Sequence, residues 1–431
     1  MVCPLRVCES RNPVSGDACG PLVTVVVATH NRCAALRGTI AKLQKCEMSR
    51  GDYEIIVVDN ASTDGTLRAI DRDVDVLIEL RRNRGSCAKA YGASRARGRY
   101  IVFLDDDSCP RLGSLSRMIE RFEQDSDLGA AGFTVHRADG SQEGAALPGV
   151  FVGCGVGFRA EALRNVGGLD VSFFMQAEEY DVCFRLAGEG WNVEVFDDLH
   201  VDHRKTTTAR CPSRTTYYDV RNNLRVLARY APKGHYGPLR EDCIARYASL
   251  AALHGHENSF RRGLRQGTLC ARLERFLYRK KRMSDAVFER FYRWDEIERK
   301  MGGLATRGVK RIVLADLGKN IYGYWRAARR VGIEVEAIGD DRFAVVGRAY
   351  RGIAVLPLAE ALEHRVDAVV VSNSSPVHGN STAIRVRSMT PMPVFCWLEG
   401  PCKKDDPGLN FGPPGLAADN ALEKTVRICC P

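Results

Sequence analysis

Three consecutive carboxylates, Asp105, Asp106 and Asp107, end a short apolar run from Tyr100 to Leu104. Like charges at the end of a buried strand repel, and each needs a partner. Such a cluster can hold a hard divalent cation. Oxygen donors suit Mg²⁺ or Mn²⁺, and Asp105 and Asp107 can turn toward one ligand across a tight strand-end turn. A solvated acidic turn is the alternative. A second acidic group, Glu178-Glu-Tyr-Asp181, is followed by Arg185. On a helix starting near Glu178, the side chains of Glu178, Asp181 and Arg185 share one face and Glu179 turns elsewhere. Acids there can accept protons in a reaction, or simply complement the positive end of a helix dipole.

Strand ends must position these groups. Leu22-Val-Thr-Val-Val-Val-Ala28 and Glu54-Ile-Ile-Val-Val58 are apolar, β-branched runs of the kind buried on both faces of a parallel sheet. They end in Thr29-His30-Asn31 and Asp59-Asn60, as the third run ends in the aspartates. Helical patterns run to about Cys46 and from about Thr66 to Arg72. The alternation predicts βαβ units and a mostly parallel sheet. In such sheets ligands bind beyond the carboxyl ends of the strands, where the polar residues collect.

The stretch from about Val23 to Tyr230 resembles the inverting family-two glycosyltransferases, which have the GT-A fold. The motifs are Val23-Thr-Val-Val-Val-Ala-Thr-His-Asn-Arg32, Ile56-Val-Val-Asp-Asn-Ala-Ser-Thr-Asp-Gly65, Asn83-Arg-Gly85 and Gly98-Arg-Tyr-Ile-Val-Phe-Leu-Asp-Asp-Asp107, then Glu178-Glu-Tyr-Asp181 with Arg185, and Arg221-Asn222. The resemblance implies a nucleotide-diphosphosugar donor and a divalent metal, Mn²⁺ or Mg²⁺. Thr29, His30 and Arg32 fall in the donor-binding set, and Asp59 matches the acid that meets the base. Asp105 and Asp106 belong to the same set, and Asp105 and Asp107 match the pair that holds ribose and metal. Arg84 and Lys89 are read either as charge near the phosphates or as solvated surface. His203, with His200 second, matches the histidine that completes the metal site. The catalytic acid position falls on Glu179, a Glu where Asp is commoner, which keeps Glu178 and Asp181 open as alternatives. Many members have Pro where this chain has Ala28. The acceptor implied is a glycan or a lipid-linked sugar.

Val150 to Phe158 is glycine-rich without a dinucleotide fingerprint, and reads as a strand that another backbone or a sugar approaches closely. Thr206 to Arg214 reads as a lid. Between Phe260 and Arg282 nine Lys/Arg face one acid, interleaved with leucines and Phe276. Two readings stand: a packed connector, or peripheral docking on an anionic membrane. No aromatic array suits nucleic acid. Gly302-Gly303 reads as a boundary before a small Rossmann-like unit, with Asp340 near a ribose-binding position. The expected fold class is α/β in five parts: a loose segment (1–20), a GT-A domain (21–235), a basic helical connector (236–302), a small Rossmann-like domain (303–395) and a loose tail (396–431).

The chain of 431 residues is ordinary in composition, 45% hydrophobic and 27% charged, with a net charge of +10 that suits anionic ligands. Its 16 cysteines include no Cys-x-x-Cys pair, and Met1–Gly20 lacks an apolar core. Reduced thiols, and a cytoplasmic place on or off the inner membrane surface, are expected. Two rivals compete with transfer. A nucleotidyltransferase would need a glycine-rich loop after the first strand, and an inactive sugar- or nucleotide-binding protein would be expected to lack acids at the metal or base positions.

Overall fold

The computed structural model describes residues 6–9, 20–70, 73–205 and 211–397. Within these, the larger sheet runs Arg6–Glu9, Val76–Glu79, Tyr53–Asp59, Val23–Thr29, Tyr100–Asp105, Gly155–Arg159, Leu128–Arg137, Asn192–His203, Ser108–Pro110. The four strands from Val76–Glu79 to Tyr100–Asp105 are mutually parallel. Gly155–Arg159 then runs antiparallel to both of its neighbours.

The β-branched runs form strands because helices cover both faces. Odd-numbered residues Val23, Val25 and Val27 pack with Ile55, Val57, Val102 and Leu104 against Leu36 and Ile40 of the helix Cys33–Leu43. Even-numbered Val26, Ile56 and Val58 pack with Phe103 on the other side, in the cluster that holds Tyr91 and Val182. The period of two thus places the apolar residues of these strands in apolar surroundings on both faces, while buried Thr24 bonds Glu54, which also pairs with Arg97. Their register brings Thr29 opposite Asp59 and Ala28 opposite Asp105, so the polar ends share one edge.

The connector is helical as expected: Lys233–His254, Glu257–Leu277, Asp285–Phe291 and Trp294–Thr306. A second sheet follows in the order Ala349–Tyr350, Ile353–Leu356, Glu334–Gly339, Arg311–Ala315, Ala368–Val371, Val394–Phe395. The mixed α/β architecture with a smaller Rossmann-like unit is therefore the one anticipated. One hydrophobic cluster runs from Phe184 and Tyr230 through Phe288 and Trp294 to Ile312 and Tyr324, so the second sheet is packed on the rest.

Four details differ from expectation. Arg6–Glu9, read as part of a loose lead-in, pairs antiparallel with Val76–Glu79. Gly302 and Gly303 lie inside the helix Trp294–Thr306, where tertiary packing outweighs the roughly 1 kcal/mol penalty of a helical glycine. Gly155 and Gly157 make room for side chains, not another backbone, since a Cβ would run into Val201 and Met118 respectively, while a Cβ on Gly153 would meet Glu179. Both carboxylate oxygens of Asp340 accept backbone N–H groups, from Leu317, Arg342 and Phe343, so it staples its loop. The expected lid residues 206–210, the remainder of the lead-in and the tail from 398 lie outside the described residues, as do residues 71 and 72 at the end of the expected second helix.

Candidate active site

A cleft of about 900 Å³ opens at the carboxyl edge of the parallel strands. Of the residues singled out in the sequence, Thr29, His30, Arg32, Lys89, Asp105, Asp106, Glu178, Glu179 and His203 line it. The strand Tyr100–Asp105 delivers the aspartates, of which Asp105 pairs with Lys89 while Asp106 and Asp107 share Arg32. Asp105 receives Lys89 Nζ at 2.6 Å, and the same ammonium donates to the Gly153 carbonyl at 2.7 Å. Asp106 accepts from Thr29 Oγ1 at 2.8 Å and pairs with Arg32 Nη1 at 2.7 Å. Burial still pushes its carboxyl up to about 7, against the pull of Arg32 and Thr29. Asp107 is buried, bound to Arg32 Nη2, with its other oxygen 3.3 Å from His203 Nε2.

The strand Asn192–His203 carries His203 to the same edge. Asp105, His203 and Cys154 can each place one ligand atom so that all three lie within 4.8 Å of one another. Glu143 stands 3.3 Å from His203 Nδ1. Burial opposes a charge on His203, but hydrogen bonds to Asp107, Cys154 and Glu143 win and push the imidazole up to about 12. Without a metal the ring is therefore held as the imidazolium, and it would ligate a cation only on giving up that proton. The donor set fits a hard divalent cation through Asp105 and His203, with Asp107 on the far side of the ring. Cys154 is a weaker ligand, because burial pushes its thiol up and keeps it protonated.

Opposite the aspartates stands the helix Glu178–Gly188. The loop leading into it is strained: Phe174, Gln176 and Ala177 all have left-handed φ near 65–70°. Left-handed residues other than Gly cost roughly 1–2 kcal/mol each. The Nδ2 of Asn222, wholly buried, holds the loop by reaching the carbonyls of Phe173, Met175 and Gln176 at 2.7–3.0 Å. Gly85, at φ 64°, lies beneath it, where a Cβ would overlap the Phe174 carbonyl oxygen. These contacts give Asn83-Arg-Gly85 and Arg221-Asn222 a physical role, in that both brace the acidic loop.

The loop aims Glu178 and Glu179 into the cleft. Ser86 Oγ donates to Glu178, which burial nonetheless raises. Burial, then the neighbouring Glu178 carboxylate, hold Glu179 well above the usual carboxylate range. Asp181 is placed differently. It does not line the cleft, and its two oxygens accept from Arg185, Arg229 and Tyr230. Asp181 is a brace for the helix and not a candidate base.

Four other expectations are also corrected. His200 bonds His136 at 3.1 Å, outside the cleft, because alternate residues of a strand face opposite ways while the strand bulges before it. Arg84 does not line the cleft, and its backbone N–H bonds Asn60. Asp107 lies behind the cleft surface, held there by Arg32. Asp59 is fully buried behind Asn60, with one oxygen on the Ser62 N–H and Oδ1 without a hydrogen-bond partner among the described residues. Three side chains at the site carried no signal in the sequence: Glu143, Cys154, which reads as core filler, and Asp219. Asp219 lines the cleft from the helix Pro212–Tyr230, and burial pushes it up to about 7.

Residues 24–165 match the family model described as glycosyl transferase family 2. A teichuronic acid biosynthesis glycosyltransferase of Bacillus subtilis is 30% identical over 129 residues, 28% of this chain and 50% of that protein. A succinoglycan biosynthesis protein of Rhizobium meliloti is 39% identical over 106 residues, 23% of this chain and 30% of that protein. The chain thus spans half or less of the length of these relatives. Among solved structures, a mannosyltransferase of Pyrobaculum calidifontis, in complex with GDP-Man and Mn²⁺, aligns over 62% of this chain and 91% of its own, with a TM-score of 0.41 and 18% identity.

Proposed function

We propose that this chain, whose residues 24–165 match the glycosyl transferase family 2 model, moves a sugar from a nucleotide diphosphosugar to a hydroxyl of a glycan or lipid-linked acceptor, with inversion at the anomeric carbon. The named relatives act in teichuronic acid and succinoglycan biosynthesis, which favours a polysaccharide product.

The observation that carries the reading is the pairing, in one cleft, of a corner of possible metal ligands and a desolvated carboxylate. The corner is Asp105 with His203, backed by Asp107, and the carboxylate is Glu179. A divalent cation held at the corner supplies positive charge to the leaving diphosphate. Lys89, buried and paired with Asp105, adds a fixed ammonium nearby. Glu179 accepts the acceptor hydroxyl's proton as the new C–O bond forms and the bond to the diphosphate breaks. Its raised proton affinity makes it a stronger base once ionised. Attack on the face opposite the leaving group inverts the centre. Asp219 is the competing base, and Asp219→Asn tests it.

Calorimetry with nucleoside diphosphates, with and without Mn²⁺, tests the corner. Asp105→Ala and His203→Ala should each abolish the Mn²⁺-dependent part of binding, whereas Cys154→Ser should keep it. Unchanged affinity in the first two variants would overturn the metal assignment. Retention in the product, read by NMR of the anomeric proton, would overturn inversion.

A further inference from the structure

The helix Glu257–Leu277 has two unlike faces. Gly263, Gly267, Ala271 and Glu274 recur at helical spacing on one of them and are buried. The two glycines allow close approach to the helix Pro212–Tyr230, since a Cβ on Gly263 would overlap Tyr217 and Val220, and one on Gly267 would lie 2.9 Å from Arg221 Cα. Glu274 is consumed on this side by Arg225 and Arg229, at 2.7 and 2.6 Å. The opposite face is apolar yet uncovered: Leu269 is 66% exposed, Leu273 60%, Phe276 63% and Leu277 59%. Exposed Arg261, Arg262, Arg265, Arg272, Arg279 and Lys280 flank this stripe, and between Asn258 and Arg282 the only acid is the buried Glu274.

We propose that this outer face docks on an anionic lipid bilayer, with the leucines and Phe276 entering the acyl boundary and the guanidinium groups meeting the headgroups. Charge complementarity selects this occupant. A second copy of the chain would set arginine against arginine across a two-fold interface. A nucleic acid would satisfy the arginines but leave the apolar stripe in water. A stripe of large apolar side chains inside a purely basic border matches an interfacial amphipathic helix. The same helical layer reaches the cleft at its other end, through His254 and His256.

Co-sedimentation of the full chain with phosphatidylcholine vesicles, with and without phosphatidylglycerol, tests the surface. The protein should pellet with anionic vesicles at low salt, and be released as salt shortens the screening length from about 10 Å toward 3 Å. The double substitution Leu273→Ser, Phe276→Ser should lower partitioning at least about tenfold with an unchanged melting curve. Arg272→Glu with Arg279→Glu should do the same. Equal recovery from neutral and anionic vesicles would overturn the proposal. So would light scattering in which the Leu273/Phe276 variant dissolves a dimer while vesicle binding is absent in both proteins. The assay involves no sugar transfer, so its failure would leave the transferase reading standing.

Discussion

Asp181 and Glu179 stand two residues apart on one helix and should fail in opposite ways. Asp181 Oδ2 accepts from Arg185 at 2.7 and 3.0 Å, and Oδ1 accepts from Arg229 at 2.8 Å and Tyr230 at 2.7 Å. Asp181→Asn keeps the shape, but turns one of these oxygens into an N–H₂ group that faces existing donors. Breaking a buried ion pair costs roughly 3–5 kcal/mol. Arg229 retains Glu274 and Asp170, which places the cost at the lower end, about 3 kcal/mol. For a chain of this length, at roughly 1–2 °C per kcal/mol, the melting midpoint should fall by roughly 3–6 °C. Turnover measured well below that midpoint should stay near the parent value. In Glu179→Gln the amide resembles the protonated acid that burial already favours. Its midpoint should hold, while turnover falls by roughly 10²–10⁴. Paired melting curves and initial rates separate the two. An Asp181→Asn variant that is dead with its midpoint intact, beside an active Glu179→Gln, would refute the assignment.

Two further outcomes are expected. The base must be ionised to act, so kcat/KM should rise with pH along an acid limb displaced above the ordinary Glu value of about 4.3, and a limb at that ordinary value would remove Glu179 from the role. The sign for stability is opposite: a carboxyl raised in the folded state contributes stability at low pH that is lost as pH rises through its folded value. Gly85→Ala should destabilise by at least about 1–2 kcal/mol, from its left-handed φ alone. Because the added Cβ pushes on Phe174, it should lower turnover as well, and a variant with unaltered rate and melting would show that the Gly85 contact does not position the acids.

Local pattern was enough to read the strands. Val23–Thr29, Tyr53–Asp59 and Tyr100–Asp105 are continuous apolar runs buried on both faces, and a run of that kind has few other ways to fold. Their polar ends converge because parallel strands in register finish together, which sequence order already implies. The sequence therefore determined the parallel core, the edge at which ligands meet it, and the family motifs along it. Only tertiary structure decided what each acid does. Asp181 and Glu179 are equally acidic in sequence, but one meets Arg185 on its own helix and Arg229 from the helix Pro212–Tyr230, whereas among the described residues the other meets no guanidinium group. Cys154, Glu143 and Asp219 join the site from a loop, a short strand and a helix remote in sequence, at spacings that no local periodicity can register. The apolar face of Glu257–Leu277 belongs to the same class. An amphipathic pattern shows that a helix has two faces, whereas the packing of Gly263 and Gly267 determines which of them is left uncovered.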